Sequence, residues 1–305
     1  MSPSTSTTAT TTPPTYADLG LRPVINCMGT YTRLTGSRVL PQVADAVRLA
    51  GDAYVPLDEL VDAAGRRPAE LTGAEWALVT CGAAAALAQI TAAALAGADP
   101  EKMARLPDTT GMRNEVVIQA AHRNAFDRSL RMTGARLRSV STRAELDAAL
   151  NERTAMVAIT GDYERRSTIP VNEIIAAARR HGVPTLVDAA AQRPDVPNRY
   201  LDMGADAVVY SGGKCLRGPQ ASGLALGRIS PLGRLPQRCA APRPGTPHEG
   251  GKRRDHGTAG RGRGLANGTR PRCRVAHVGG LSGAHPPRGK RSAFGAHPCG
   301  VVRYL

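Results

Sequence analysis

Seven short apolar runs separated by longer amphipathic stretches occupy residues 16–227, and this alternation admits few architectures. Strands and helices in such succession bury their apolar faces as βαβ units around a mostly parallel sheet. The expected strands are 76–80 (WALVT), 115–120 (EVVIQA), 136–140 (RLRSV), 155–160 (AMVAIT), 185–189 (TLVDA), 206–210 (DAVVY) and 222–227 (SGLALG). Helical stretches fall at 83–95, at 143–150 behind a Thr142 cap, and at 171–181 before a Gly182 stop. The sequence therefore predicts an α/β domain with a mostly parallel seven-stranded sheet, helices on both faces and a sizeable core.

Outside that region the character changes. Residues 1–15, MSPSTSTTATTTPPT, carry neither charge nor an apolar core, so they read as a disordered leader and not as a signal or transit peptide. No apolar run approaches the roughly 18 to 20 residues of a membrane span. Six cysteines, at 27, 81, 215, 239, 273 and 299, lack CxxC spacing, which argues against a zinc site or a disulfide framework. A reducing cytoplasm is the expected location.

The 40 Lys+Arg exceed the 25 Asp+Glu, but unevenly: residues 228–305 hold 16 of the former and only Glu249 and Asp255 of the latter. This Gly-, Arg-, Pro- and His-rich segment has no apolar periodicity and cannot form a packed domain. It reads either as a basic tail that binds RNA or DNA through phosphate neutralisation, or as out-of-frame translation of a GC-rich gene. With codons chosen from those permitted, a one-nucleotide shift allows residues 248–259 and 273–280 to read as helix-like amphipathic strings, which shows compatibility. A disordered tail has no reason to hide such strings, so the out-of-frame reading is preferred.

Candidate chemistry lies ahead of that segment, where arginine is frequent and lysine occurs only as Lys102 and Lys214. Lys214 sits in YSGGKCLRGPQ, a Gly-rich loop directly after the strand DAVVY, at the carboxyl edge where α/β sheets bind ligands. A desolvated amine can form a Schiff base, which a guanidinium cannot; the plainer alternative is an exposed loop lysine. Asp188 ends the strand TLVDA and suits a pyridinium nitrogen, or simply caps the next segment. In TCGAAAA a strand breaks at Gly82 into an Ala-rich helix whose N–H groups suit a phosphate, or only make a tight turn. His122, after EVVIQA, suits stacking on a planar cofactor or proton shuttling, or a purely structural role. GxGxxG, GxxxxGK[ST] and GxSxG are absent, so dinucleotide, P-loop and serine-hydrolase readings lack motif support.

The Gly loop, His122, Asp188 and Lys214 each follow a separate strand, and here the chain resembles the fold-type I pyridoxal-phosphate enzymes. More specifically it is similar to the family of selenocysteine synthase (L-seryl-tRNA selenium transferase) and D-glucosaminate-6-phosphate ammonia-lyase. The similarity rests on RPVINCMGTYTRLTGS (22–37), ELTGAEWALVTCGAAAAL (70–87), TLVDAAAQ and GADAVVYSGGKCLRGPQASG (204–223). It implies that Lys214 is the Schiff-base lysine and Asp188 the partner of the pyridine nitrogen. It further implies that Cys81, Gly82, Ala83 and Ser211 surround the phosphate and that His122 stacks on the ring. Gly218, Pro219 and Gln220 match the loop after the lysine, which in such homo-oligomers lies near the neighbouring subunit's site.

The implied reaction is elimination or β-replacement on a small amino acid or amino sugar acid, with Lys214 taking the α-proton. Arg33, Arg38 and Arg217 are candidates for an anionic substrate group, because Arg presents a planar fork to carboxylate or phosphate. Two departures stand out. PVIN already begins at Pro23, leaving no room before it for the N-terminal helical domain with which selenium transferases bind tRNA, and this argues against a tRNA substrate. The small C-terminal domain of such enzymes, with a motif like RPMKVGKEEIMGLL, is expected to be missing in this frame, and the frame-shifted 248–259 string resembles that motif. An impaired enzyme is therefore expected, with a nucleic-acid-binding protein on an α/β scaffold as the alternative.

Overall fold

The computed structural model describes residues 13–228. Two helices, α1 (Pro41–Ala50) and α2 (Leu57–Thr72), come before the first strand. Then follow β1 (Trp76–Thr80), α3 (Ala83–Ala96), α4 (Pro100–Arg105), β2 (Glu115–Gln119), α5 (Asp127–Arg131) and β3 (Arg136–Val140). The series closes with α6 (Arg143–Ala149), β4 (Thr154–Thr160), α7 (Val171–Arg180), β5 (Thr185–Asp188), α8 (Arg199–Asp202), β6 (Ala207–Ser211) and β7 (Gly223–Gly227). All seven expected strands and three expected helices agree with these bounds to within one residue at either end.

The strands form one sheet in the order β1-β7-β6-β5-β4-β2-β3. Pairing is parallel from β6 through β5, β4 and β2 to β3, while β7 runs antiparallel to both β6 and β1. That reversal follows from a short connection: the segment 212–222 returns the chain at the same edge, and it is too short for the crossover that a parallel neighbour requires.

Alternation along the strands divides the core into two layers. Val117, Val157, Ile159, Val187, Val208 and Leu226 point to the side covered by α6, α7 and α8. Val116, Ile118, Met156, Ala158, Leu186 and Val209 point to the side covered by α3 and α5. Each fully buried Val, Leu or Ile stabilises the fold by about 1.5–3 kcal/mol. In α7 the apolar side chains Val171, Ile174, Ile175, Ala177 and Ala178 make one inward stripe, while Arg179 and Arg180 complement the dipole at its end. α3 is apolar almost all round, and its alanines let it lie close across the sheet. At α6 the expected cap is present, with Thr142 Oγ1 accepting from Glu145 N–H at 3.2 Å and Glu145 Oε2 accepting from Ser141 N–H at 2.7 Å.

The stretch ahead of β1 is different. α1 buries none of its residues, and Ile25 and Tyr54 are 94% and 107% exposed, with Val24, Met28 and Leu49 also open. Its attachment to the sheet domain includes the carboxyl-edge loop that carries Lys214.

Expectations for residues 1–12 and 229–305, including most of the 1–15 leader and all but the first residue of the 228–305 basic segment with its reading frame, fall outside the described residues. Among the described residues, no helix is long and apolar enough to cross a membrane.

Candidate active site

Sheet register brings the expected residues to one edge. Thr80, Gly223 and Ser211 are directly paired across β1, β7 and β6, and Thr160 and Asp188 are paired across β4 and β5. With strands about 4.8 Å apart, the first turn of α3, the Ser211 hydroxyl, Asp188 and the Lys214 loop line the same carboxyl edge.

Close approach explains the glycines around Lys214. A Cβ on Gly212 would lie 1.9 Å from Ser222 Oγ, and one on Gly213 would lie 2.5 Å from Gln220 Cα. The chain after the lysine crosses directly over both. Gly218 N–H donates to Gly212 O at 2.7 Å and Arg217 N–H to Lys214 O at 3.0 Å, closing the loop on itself. Lys214 Nζ stands 5.8 Å from the centroid of the Phe126 ring.

At the β1–α3 junction, Gly82 adopts φ 112°, and no side chain caps the helix. The N–H groups of a first helical turn have no intrahelical partners and attract an anion. A Cβ on Gly223 would lie 2.4 Å from the Gly82 carbonyl carbon, whereas one on Gly82 would meet nothing within 4 Å. β7 thus packs tightly under the junction and leaves open space above it. Cys81 is exposed beside that opening.

Asp188 accepts from Ala190 N–H at 3.1 Å. Desolvation is the main force on its carboxyl, pushing the pKa from the ordinary 3.8 up to about 6; the Ala190 bond and the Lys214 charge oppose the rise, and Asp162 and Asp127 add to it. No ion pair holds Asp188 among the described residues, so a cationic ring nitrogen would supply a direct partner for its charge. This donor set and the uncapped α3 turn fit pyridoxal phosphate.

The cleft beside Asp188 is lined by Leu87, Asn124, Phe126, Asp127, Ala158 and Thr160, among others. Sequence reasoning missed Asn124, Phe126, Asp127 and Asp162. Asp162 lies just past β4, its pKa raised by desolvation and lowered again by the Lys214 charge. Asp127 is buried and paired with Arg123. The stretch HRNAFD held the available signal, since it follows a strand directly.

His122 is placed apart from the cleft. The ring is fully buried, with Nδ1 3.3 Å from Thr160 N–H and Nε2 2.8 Å from Ser167 Oγ. Burial lowers its pKa, opposed by the charge of Glu164. The ring ties β2 to the end of β4, and it is Phe126, not His122, that lines the opening.

Gln220 has its amide engaged by backbone carbonyls. With its amide turned to donate, it reaches Gly213 O at 3.1 Å and Thr35 O at 3.0 Å. Gly218 is buried within the turn, and Pro219 O accepts from Ser222 Oγ at 2.7 Å. Arg33, Arg38 and Arg217 are exposed, and Arg217 Nε donates to Arg38 O at 3.4 Å.

A sheet of this order, with a lysine loop, a desolvated carboxylate and an uncapped helix at one edge, defines a pyridoxal-phosphate type of α/β domain. The chain matches the aminotransferase class-V family model over residues 70–242, and it belongs to that family, whose enzymes are pyridoxal-phosphate-dependent.

D-glucosaminate-6-phosphate ammonia lyase of Salmonella typhimurium is 35% identical over 228 residues, covering 71% of this chain and 61% of the relative. The 5'-C-glycyluridine monooxygenase-decarboxylase of a Streptomyces species is 35% identical over 226 residues, covering 70% and 56%. An L-seryl-tRNA(Sec) selenium transferase of Desulfovibrio desulfuricans is 30% identical over 246 residues, covering 68% and 48%. A solved structure of D-glucosaminate-6-phosphate ammonia-lyase superposes with a TM-score of 0.68 at 32% identity, covering 75% of this chain and 64% of that one. The chain thus spans about half to two-thirds of the length of these relatives.

Proposed function

We propose that this chain binds pyridoxal phosphate at the carboxyl edge of its sheet and acts as a lyase or transferase on a small amino acid or amino sugar acid. The observation that carries the reading is the gathering of the Lys214 loop, the desolvated Asp188 carboxyl and the uncapped start of α3 at one edge of the sheet. When bound, the cofactor supplies an electron sink that stabilises negative charge on the α-carbon of an amino substrate. Lys214 Nζ is the amine that would hold it, and the same amine would serve as the base that takes a proton from the substrate. Asp188 would keep a proton on the cofactor's ring nitrogen. The β1–α3 junction, Cys81 and Gly82 with Ala83 at the start of α3, would bind the phosphate together with Ser211. Phe126 would take the stacking position that the resemblance assigned to His122, since its ring lines the cleft and lies near Lys214 Nζ. The relatives named above are enzymes, and they lend the nucleic-acid alternative no support.

A homo-oligomer belongs to the same proposal. The open apolar side chains of Val24, Ile25, Met28 and Tyr54, with an α1 that buries nothing, support it, since a second copy would cover them. Such a copy, in a reducing cytoplasm, would meet the Arg38–Arg217 side of the lysine loop, where an anionic substrate group could bind.

Lys214→Ala tests the reading. Pyridoxal phosphate added to the unaltered protein is expected to give a visible absorbance band that survives gel filtration, and Lys214→Ala to lose it. Persistence of the band in the variant refutes the assignment of Lys214.

A further inference from the structure

We propose that residues 35–40 form a backbone clamp on the cofactor-lysine loop, and that Ser37 is a positioning residue for Lys214. This rests on the reading of Lys214 given above.

Lys214 lies three residues beyond the end of β6, where the sheet no longer fixes the backbone. The segment 35–40 reaches it from the opposite end of the described chain. Ser37 N–H donates to Gly213 O at 2.8 Å. Ser37 Oγ lies 2.8 Å from Lys214 O and 3.1 Å from Gly213 O; a hydroxyl has one proton, and the shorter contact takes it. Leu40 N–H donates to Arg217 O at 3.0 Å, and the Gln220 amide closes the far end on Thr35 O. The carbonyl of the lysine itself is therefore held by Ser37 from one side and by Arg217 N–H from the other.

Two further observations point the same way. Thr35 and Arg217, one on each side of the contact, both take positive φ, 62° and 54°, without being glycine. Such conformations persist where surrounding contacts hold them in place. Gly36 lies between, and a Cβ there would sit 2.2 Å from Gly213 O. Side-chain-free backbone is required for the two segments to meet this closely. Because α1 begins at Pro41, directly after the clamp, whatever covers the open N-terminal face also bears on the position of Lys214.

The test uses the full chain with Ser37→Ala, Ser37→Thr, Gln220→Met and Lys214→Ala. In cofactor-free protein, hydrogen exchange of amides in residues 212–218 is expected to quicken about fivefold in Ser37→Ala and Gln220→Met, since loss of one hydrogen bond lowers the local opening free energy. With pyridoxal phosphate bound, the pH midpoint of the visible band is expected to move by about half a unit or more in Ser37→Ala, because it reports the setting of the lysine nitrogen. Ser37→Thr, which keeps the hydroxyl, is expected to restore both. Exchange and midpoint equal to the unaltered protein in Ser37→Ala and Gln220→Met overturn the clamp. Should Ser37→Ala not fold, Gln220→Met, which removes a donor from an exposed position, decides by the same two readings. A band that persists in Lys214→Ala refutes the cofactor-lysine reading instead, and is thereby distinguished from failure of the clamp.

Discussion

Asp188→Asn is expected to stabilise the cofactor-free protein at neutral pH while weakening its hold on the cofactor. The carboxyl sits where desolvation disfavours its charge, and its pKa rises from 3.8 to about 6. A folded-state pKa above the unfolded one means that the native protein binds the proton more tightly. Stability from this group is therefore fully present below about pH 3.8 and is lost as pH rises through about 6. At 1.36 kcal/mol per pH unit, the full loss is up to about 3 kcal/mol.

An amide of the same shape keeps an oxygen to accept from Ala190 N–H and has no charge to desolvate. Urea unfolding of cofactor-free protein at pH 4.5, 5.5, 6.5 and 7.5 gives the difference between variant and parent. That difference is expected to grow with pH and level off above about 7, at roughly 2–3 kcal/mol in favour of the variant. Adding pyridoxal phosphate is expected to stabilise the parent more than the variant, because the ring nitrogen's charge finds its partner only in the carboxylate. A difference that is flat across this range, or that favours the parent throughout, refutes the placement of a desolvated carboxylate at this edge.

His122→Ala is expected to destabilise the fold by about 2–3 kcal/mol by leaving Thr160 N–H and Ser167 Oγ without their buried partner, measured by urea unfolding. In the parent, His122 has a lowered pKa, so its stabilisation is present above about pH 6.5 and is lost as pH falls below it; a variant with the same acid dependence contradicts this. Gly223→Ala would drive a methyl group to 2.4 Å from the Gly82 carbonyl carbon, and titration with pyridoxal phosphate is expected to show about tenfold weaker binding as the α3 turn shifts. Phe126→Ala is expected to weaken cofactor binding more than His122→Phe, if Phe126 is the stacking ring; the reverse order restores His122 to that role. Reading all three frames of the gene across residues 228–305 tests the proposal that this segment is out of frame, which an uninterrupted helix-like continuation in another frame supports and its absence refutes.

How far the sequence reaches differs between the fold and the site. Strand positions such as 154–160 and 207–211 were legible because β-branched and apolar residues in short runs have few other stable arrangements, and the Gly-Gly-Lys loop announced itself by following one of them. The capping of α6 by Thr142 is equally local, decided within four residues. Tertiary structure alone decided that β7 runs backwards between β1 and β6, since an apolar run carries no direction. It alone turned His122 inward, since a ring three residues past a strand can face either way until Thr160 and Ser167 arrive from 38 and 45 residues further on. Asp162 carries no spacing that marks it, and the place of Asp162 and Phe126 beside Lys214 exists only once the sheet has gathered its carboxyl ends. The contact of Ser37 with Lys214 spans 177 residues, a distance over which one chain's local preferences say nothing about which partners will meet.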